Sequence, residues 1–251
     1  MYKPKIVFIT GATGDFGKAF ARKFADLGCV LILHGRNAEK LESLRQEFSV
    51  PVHTALFDIT DRAAMEQAIT ELPSPFKNIE LLINNAGGAL GLEKAQESSL
   101  DDWDQMVAMN VSGLMRMTRL LLPIMIDRKC GHIINIGSTA GNYPYPGGHV
   151  YCASKAFVKQ FSLSLRSDLQ GTNIRVTNIE PGMVQTQFSL ARFKGDAQKA
   201  NAVYANTTPL MAEDVAESVV WAATLPPHVN INRIEMMPTT QSPGALQVER
   251  L

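Results

Sequence analysis

The sequence has little cysteine and no excess of charge of either sign, and both absences exclude classes of protein. The three cysteines, Cys29, Cys130 and Cys152, are scattered through 251 residues, with no Cys-x-x-Cys pair. This spacing indicates free thiols in a reducing compartment and no metal site. Lys and Arg total 24, as do Asp and Glu, so we expect neither a nucleic-acid partner nor an acidic membrane partner.

The sequence also lacks a long hydrophobic run, although 45% of its residues are hydrophobic. The N-terminal apolar run is too short for a signal peptide. The best candidate for a membrane span, 114–126, is interrupted by Arg116, Arg119 and Pro123, which excludes a spanning helix. We therefore expect a cytoplasmic protein with enough apolar residues for one large core.

Strand-like and helix-like segments alternate along the whole chain. Short apolar runs predict strands, and amphipathic patterns predict helices. This alternation predicts an α/β fold: one domain, 1–251, with a doubly wound parallel sheet of the Rossmann type. The predicted strands are 5–10, 30–34, 52–57, 80–83, 132–137, 174–179 and 232–238, and the predicted helices are 16–27, 38–48, 61–72, 100–126, 150–169 and 212–224.

A glycine-rich turn lies between the first strand and the first helix. Gly11, Gly14 and Gly17 mark a tight turn in "TGATGDFG". A helix that starts there presents free N–H groups and the positive end of its dipole, which together form a cradle for phosphate. The turn therefore predicts a nucleotide site at the start of the chain.

The residue after the second strand indicates which nucleotide binds. An NAD site places an acid roughly 20 residues after the glycine turn, to bind the ribose 2′-hydroxyl. Arg36 stands there instead, next to Asn37, and a guanidinium suits the 2′-phosphate of NADP. The alternative is a solvated loop arginine. Asp58, after the third strand, could contact an adenine amino group or only cap its turn.

The segment "STAGNYPYPGGHVYCASK" carries the predicted chemistry. Tyr151 and Lys155 are four residues apart and share one face of a helix. The nearby ammonium favours the phenolate, so we expect the pKa of Tyr151 to fall and the residue to act as general acid or base. Ser138 follows an apolar strand, where active residues of such sheets gather; it could also serve only as a turn residue.

Three other features extend the prediction. Asn84, Asn85, Ala86 and Gly87 end the fourth strand, where small residues let a ligand approach the backbone and asparagines can pin neighbouring strands. Asn110 lies inside a predicted helix and could kink it, satisfy a backbone group or line a water site. The polar segment 187–209 predicts a mobile lid.

In their order and spacing, "TGATGDFG", "NNAG", Asn110, Ser138, "YCASK" and "PGMVQT" resemble the short-chain dehydrogenase/reductase family. The resemblance covers essentially the whole chain. It implies that Tyr151 is the acid/base and that Lys155 lowers its pKa and holds the nicotinamide ribose. It also implies that Ser138 holds the substrate oxygen and that Asn110 positions a water in a proton relay.

The resemblance also implies a set of cofactor contacts at the predicted strand ends. NADP would lie there, with its nicotinamide wrapped by the segment 181–186. The implied cofactor residues, besides Tyr151 and Lys155, are Gly11, Thr13, Gly14, Asp15, Phe16, Gly17, Arg36, Asn37, Asp58, Ile59, Asn85, Ala86, Gly87, Pro181, Gly182, Val184 and Thr186.

Asp15 departs from the family pattern, which has glycine at this position. A carboxylate there would repel a pyrophosphate unless it points away or caps the helix. We therefore expect this residue to affect the affinity for the cofactor rather than to abolish binding.

Longer stretches, such as "GHIINIGSTAG", "RVTNIEPGMV" and "LPPHVNINRIEMMPTTQS", look like the NADP-dependent 3-hydroxy acid dehydrogenases of the serine 3-dehydrogenase and malonic semialdehyde reductase types. This likeness implies a cytoplasmic homotetramer acting on a small substrate. Alternatives are a 3-oxoacyl thioester reductase or another carbonyl reductase of the same family, and a non-catalytic sensor or scaffold that binds NADP. A short acid needs a cationic partner in the lid, for which we favour Arg192 over Lys194.

Overall fold

The computed structural model describes residues 2–244, and these form one sheet with helices on both faces. Seven parallel strands run in the order β3-β2-β1-β4-β5-β6-β7. This confirms the predicted doubly wound parallel sheet. The strands are β1 (Ile6–Ile9), β2 (Val30–Gly35), β3 (Val52–Leu56), β4 (Leu81–Asn84), β5 (Gly131–Ile136), β6 (Ile174–Pro181) and β7 (Arg233–Met236).

Nine α-helices connect and cover the strands within the described part of the chain. They are α1 (Asp15–Asp26), α2 (Ala38–Arg45), α3 (Arg62–Thr70), α4 (Leu100–Val107), α5 (Leu114–Asp127), α6 (His149–Asp168), α7 (Phe188–Arg192), α8 (Ala197–Ala202) and α9 (Ala212–Thr224).

The central strands are buried on both faces, which is why they read as continuous apolar runs. In β1, Val7 and Ile9 face the core that includes α1 and α9, whereas Ile6 and Phe8 face the core on the other side, with α5. A parallel sheet covered in this way positions its loops at one edge. The strand order reverses at β1, whose neighbours are β2 and β4, and a crevice opens at the carboxyl ends beside such a point.

The predicted helix 100–126 is not continuous. Helices α4 and α5 are joined by a π-helical turn, Ala108–Gly113, that contains Asn110. A π turn adds a residue to the helical circuit and often marks a functional position. The interruption includes Asn110, the position for which a kink in the helix is one of the predicted alternatives. Pro123 lies inside α5 without ending it.

The predicted lid segment, 187–209, is not loose throughout. It contains the two short helices α7 and α8. The bounds of the other predicted elements differ from those observed by no more than a few residues, and helix 212–224 agrees at both ends. No helix of residues 2–244 is both long and apolar enough to cross a membrane.

Candidate active site

A cleft of about 1090 Å³ lies at the carboxyl ends of the strands. Its lining combines the glycine turn, the ends of β2 to β6 and residues from α7. Most of the predicted cofactor residues belong to this lining, as do Ser138, Tyr151, Lys155 and Arg192. Of the predicted site residues, all of which lie in the described part of the chain, Gly17, Asn37 and Asn110 do not line the cleft. The cleft therefore brings together residues that are far apart in the sequence.

The glycine turn has the geometry of a phosphate cradle. Gly11 has φ 65°, a left-handed conformation that favours glycine. A Cβ at Gly17 would collide with the carbonyl oxygen of Gly11, so the turn can close only if position 17 lacks a side chain. The N-cap of α1 is Gly14, and no side chain caps this end of the helix. The first N–H groups of α1 are thus available to an anion.

His34, at the end of β2, is a site residue that the sequence analysis did not single out. Its Nδ1 accepts a hydrogen bond from Gly11 N at 3.1 Å, and its Nε2 donates to Phe57 O at 3.1 Å. Burial lowers the pKa of His34 to about 4, so the ring is neutral at pH 7. His34 thereby ties the glycine turn to the end of β3. The only signal in the sequence is a polar residue in an apolar strand.

Arg36 and Asp58 face each other across the rim of the cleft. The guanidinium Nη1 lies 3.9 Å from Asp58 Oδ2, and the Arg36 side chain is 73% exposed. Asp58 Oδ1 accepts from both Thr60 N and Thr60 Oγ1, which holds the pKa of Asp58 below its usual value. Asp58 therefore caps its turn, one of the two predicted alternatives, while still lining the cleft. Asn37 caps α2 through Lys40 N.

The asparagines at the end of β4, Asn84 and Asn85, hold neighbouring elements together, as expected. Asn84 Nδ2 donates to Asn135 Oδ1 at 2.8 Å and to Thr118 Oγ1 at 2.9 Å, joining β4 to β5 and α5. Asn85 Nδ2 donates to Thr10 O at 2.9 Å and to Gly11 O at 3.1 Å. These bonds fix the glycine turn against the next strand end.

Asn110 acts as a clamp between the π turn and the loop after β4. Its Oδ1 accepts from Gly88 N at 2.9 Å, and its Nδ2 donates to Gly88 O at 2.9 Å and to Ser154 Oγ at 3.0 Å. Both amide hydrogens are thus bound to protein groups. The side chain therefore binds the backbone of Gly88 and a side chain of α6. A role in positioning water stays a prediction.

Tyr151 and Lys155 lie on one face of α6, where Tyr151 is buried and Lys155 is half-buried. Lys155 Nζ is 5.8 Å from the centre of the Tyr151 ring and donates to Ile136 O at 2.8 Å. Burial lowers the pKa of Lys155 to about 8. Burial raises the pKa of Tyr151 above its ordinary value, and a hydrogen bond with Ser138 and the charge of Arg192 oppose this rise.

The expected fall in the pKa of Tyr151 is therefore wrong. Desolvation of the buried phenol has a larger effect than the nearby positive charges. Ser138 lies beside Tyr151 and orders its own loop, since its Oγ accepts from Ala140 N at 3.1 Å. The two hydroxyls together form a site for one small polar group.

Arg192, in α7, lies against this tyrosine. Its Cζ is 5.6 Å from the centre of the Tyr151 ring and 5.3 Å from that of Tyr145. Its Nε donates to Gly91 O at 3.0 Å and its Nη1 to Tyr145 OH at 2.9 Å. Nη2 is buried without a partner among residues 2–244. A buried guanidinium N–H that lacks an acceptor is costly, so the site favours an anion.

Lys194 differs from Arg192 in its surroundings. Its Nζ pairs with Asp102 Oδ2 at 2.8 Å, and its side chain is 62% exposed. The preference for Arg192 as the cation of the site is therefore supported by the geometry.

The end of the described chain also reaches the cleft, which the sequence did not indicate. Gln241 Oε1 accepts from Met183 N at 2.7 Å, and Gln241, Ser242 and Gly244 belong to the lining. The segment that follows the last predicted strand thus lines the site up to residue 244, and the rest of it lies outside the described residues. No cluster of three or more His, Cys, Asp or Glu that could bind a metal occurs in the range 2–244.

A parallel sheet with a glycine cradle and a Ser-Tyr-Lys site defines a nucleotide-dependent oxidoreductase class. Residues 5–197 match the short chain dehydrogenase family, and the chain belongs to this family.

Individual relatives share nearly their whole length with this chain. An NADP-dependent 3-hydroxy acid dehydrogenase, YdfG, of Salmonella typhi is 54% identical over 98% of this chain and 99% of its own. Sulfoacetaldehyde reductase 2 of Chromohalobacter salexigens is 52% identical, with 98% of each chain covered. A closed form of serine dehydrogenase complexed with NADP+ is 53% identical and has a TM-score of 0.96, over 98% of this chain and 100% of that one.

Proposed function

We propose that this protein is an NADP-dependent oxidoreductase. It transfers a hydride between nicotinamide and the 3-hydroxyl or 3-carbonyl group of a short 3-hydroxy acid. The observation that carries the proposal is the pairing of Tyr151 with Arg192. Arg192 lies against Tyr151, with its guanidinium carbon 5.6 Å from the ring centre, so one small molecule could reach Tyr151 with its oxygen and Arg192 with its anion.

The residues of the cleft fit NADP. The uncapped start of α1 suits the diphosphate, and the exposed guanidinium of Arg36 suits the 2′-phosphate. When bound, the cofactor supplies or accepts the hydride. Asn85 to Gly87 would line it, Lys155 would hold its ribose, and Pro181, Gly182, Val184 and Thr186 would wrap its nicotinamide end.

Tyr151 is the proposed general acid in reduction and the general base in oxidation. In reduction its hydroxyl donates a proton to the substrate oxygen as hydride reaches the adjacent carbon, and in oxidation the proton returns. Ser138 holds the substrate oxygen beside Tyr151. Lys155 provides positive charge that favours the phenolate, and Asn110 positions a water that completes the proton path.

Arg192 is the proposed partner of the substrate anion. The relatives named above include enzymes for 3-hydroxy acids and for sulfoacetaldehyde. Both substrate types can place an anionic carboxylate or sulfonate one methylene from the reacting carbon. The unpaired Nη2 of Arg192 supports recognition of that shared pattern, and serine, allo-threonine and 3-hydroxypropionate are candidates.

Two alternatives are less well supported. The substrate of a 3-oxoacyl thioester reductase has a thioester where a 3-hydroxy acid has its carboxylate, so it offers no anion to Arg192 next to the reacting group. A non-catalytic sensor or scaffold that binds NADP does not require Ser138, Tyr151 and Lys155 together.

We propose further that the enzyme is a cytoplasmic homotetramer with the segment 187–209 as a mobile lid. Exposed apolar side chains on α4 (Leu100 and Val107) and on α9 (Trp221) support contact between copies.

The test is a spectrophotometric assay with NADP and a matched pair of substrates, an acid and its neutral amide. Arg192→Ala should raise KM for the acid at least tenfold and leave the amide nearly unchanged. Lys194→Ala, which removes a neighbouring cation paired with Asp102, is the control and should change neither the KM for the acid nor the KM for the amide. Equal losses on acid and amide would assign Arg192 to closure of the lid instead.

A further inference from the structure

Asp15 stands where the family pattern has glycine, and it makes a side-chain hydrogen bond that glycine could not make. It is the first residue of α1, directly after Gly14, and it lines the cleft. Its carboxylate Oδ2 accepts a hydrogen bond from Gln187 N at 2.6 Å. The distance is typical of a short, charge-assisted bond.

Gln187 is the N-cap of α7, so this bond joins the glycine turn to the beginning of the segment 187–209. The same segment is attached to the rest of the protein at other points. Gly91 N donates to Arg192 O at 3.1 Å, and Lys194 pairs with Asp102. Those contacts involve Gly91 and Asp102, which are far from the glycine turn in the sequence. The contact of the segment with the glycine turn is the bond between Asp15 and Gln187.

The position of Asp15 has a second consequence. The start of α1 has the positive end of the helix dipole and N–H groups without a side-chain cap. A negative charge at this end competes with any diphosphate that binds there. The carboxylate thus has two separable effects: as an acceptor it fixes Gln187, and as a charge it opposes the cofactor.

We propose that Asp15 is a positioning residue that keeps the segment 187–209 closed over the cleft, and that its charge weakens the binding of NADP. The proposal rests on the function proposed above only for its second half. The hydrogen bond to Gln187 N is made between protein groups alone. A closed segment and a repulsive charge together make cofactor exchange depend on one side chain.

Two substitutions separate the effects. Asp15→Asn keeps an acceptor oxygen and removes the charge, whereas Asp15→Ala removes both. Asp26→Asn is the matched control, since it makes the same charge change at the last residue of the same helix, roughly 16 Å away by the rise of an α-helix.

The first measurement is hydrogen–deuterium exchange of the ligand-free proteins. Asp15→Ala should raise exchange in residues 187–204 at least fivefold and leave α9 unchanged, while Asp15→Asn and Asp26→Asn should exchange like the wild type. Equal exchange in the wild type and Asp15→Ala would overturn the positioning role. Raised exchange in α9 as well would also overturn it, because the change would then be general destabilisation.

The second measurement is the dissociation constant for NADP+, by fluorescence titration. Asp15→Asn should bind two- to fivefold more tightly than the wild type, and Asp26→Asn should bind equally well. Unchanged or weaker binding by Asp15→Asn would overturn the role of the charge. If NADP+ fails to bind even the wild type, the proposed function fails, while the exchange result still decides the positioning role.

Discussion

At the scale of single residues, burial decides the electrostatics of the site. Tyr151 and Lys155 are removed from water by the same helix packing, which raises the pKa of the phenol and lowers that of the ammonium. Both shifts favour the neutral forms. A neutral phenol is suited to donate a proton to a carbonyl oxygen, and the positive charge of Arg192 nearby opposes the rise in the pKa of Tyr151.

The first prediction concerns the proton of Tyr151. Tyr151→Phe keeps the ring and removes the transferable proton, so turnover should fall on the order of 10²–10⁴-fold with little change in NADP+ binding. Tyr143→Phe is the control, because Tyr143 also lines the cleft but donates to Glu235 Oε1. Near-normal turnover in Tyr151→Phe, measured by NADPH absorbance, would remove Tyr151 from the acid/base role.

The second prediction concerns the choice of cofactor. Arg36→Ala should weaken the binding of NADP+ about tenfold to a hundredfold and the binding of NAD+ far less. Only NADP+ has a 2′-phosphate that the guanidinium can bind. Arg62→Ala removes an arginine of similar exposure, 70% against 73%, and should change neither. If titration finds both cofactors weakened equally by Arg36→Ala, the residue has a structural role.

The third prediction concerns pH and His34. Burial lowers the pKa of His34 from 6.5 to about 4, so the unfolded chain binds more protons between these values. The neutral His34 ring therefore contributes its full share of the unfolding free energy above pH 6.5, and this contribution is lost as the pH falls toward 4. Between pH 7 and pH 5 the wild type should lose about 2 kcal/mol more unfolding free energy than His34→Asn, which cannot titrate.

Denaturant titrations at the two pH values measure this difference. His228→Asn, at an exposed position, is the control and should behave as the wild type does. Equal losses in the wild type and His34→Asn would mean that His34 does not couple protonation to folding.

At the scale of elements, local patterns are predictable from the sequence and contacts between distant elements are not. The unit β1-turn-α1 is encoded by adjacent apolar residues and glycines, and its prediction is confirmed. The π turn at 108–113 continues the amphipathic pattern of its flanking helices, so only Asn110 indicates it. His34 and Gln241 act through Gly11, Phe57 and Met183, which no local pattern links to them.

The fourth prediction tests the clamp between the π turn and the loop after β4. A Cβ at Gly87 would lie 2.5 Å from Asn110 Oδ1, which is a steric overlap. The atom nearest to a Cβ at Gly88 would be Met109 Cε at 3.9 Å, which is an ordinary contact. Gly87→Ala should therefore destabilise the protein by about 1–3 kcal/mol in chemical denaturation. Gly88→Ala should cost little. Equal effects of the two substitutions would contradict the clamp.

At the scale of the whole molecule, apolar side chains remain exposed on the surface formed by residues 2–244. Leu100 is 70% exposed and Val107 43% exposed, and their spacing of seven residues places them on one face of α4. Trp221 on α9 is 53% exposed. These two regions lie on elements that cover different faces of the sheet, since α9 belongs to the core with α1. Two separate apolar regions fit an assembly with two kinds of two-fold interface.

The fifth prediction concerns that assembly. A tetramer built from two isologous interfaces should separate into dimers when either interface gains a charge, and into monomers when both do. Val107→Glu and Trp221→Glu should each yield dimers by light scattering coupled to gel filtration, and the double variant should yield monomers. Leu56→Glu, at a 54% exposed position on β3, should leave the tetramer intact. A tetramer that persists in the double variant would place the interfaces elsewhere, and a monomeric wild type would exclude the tetramer.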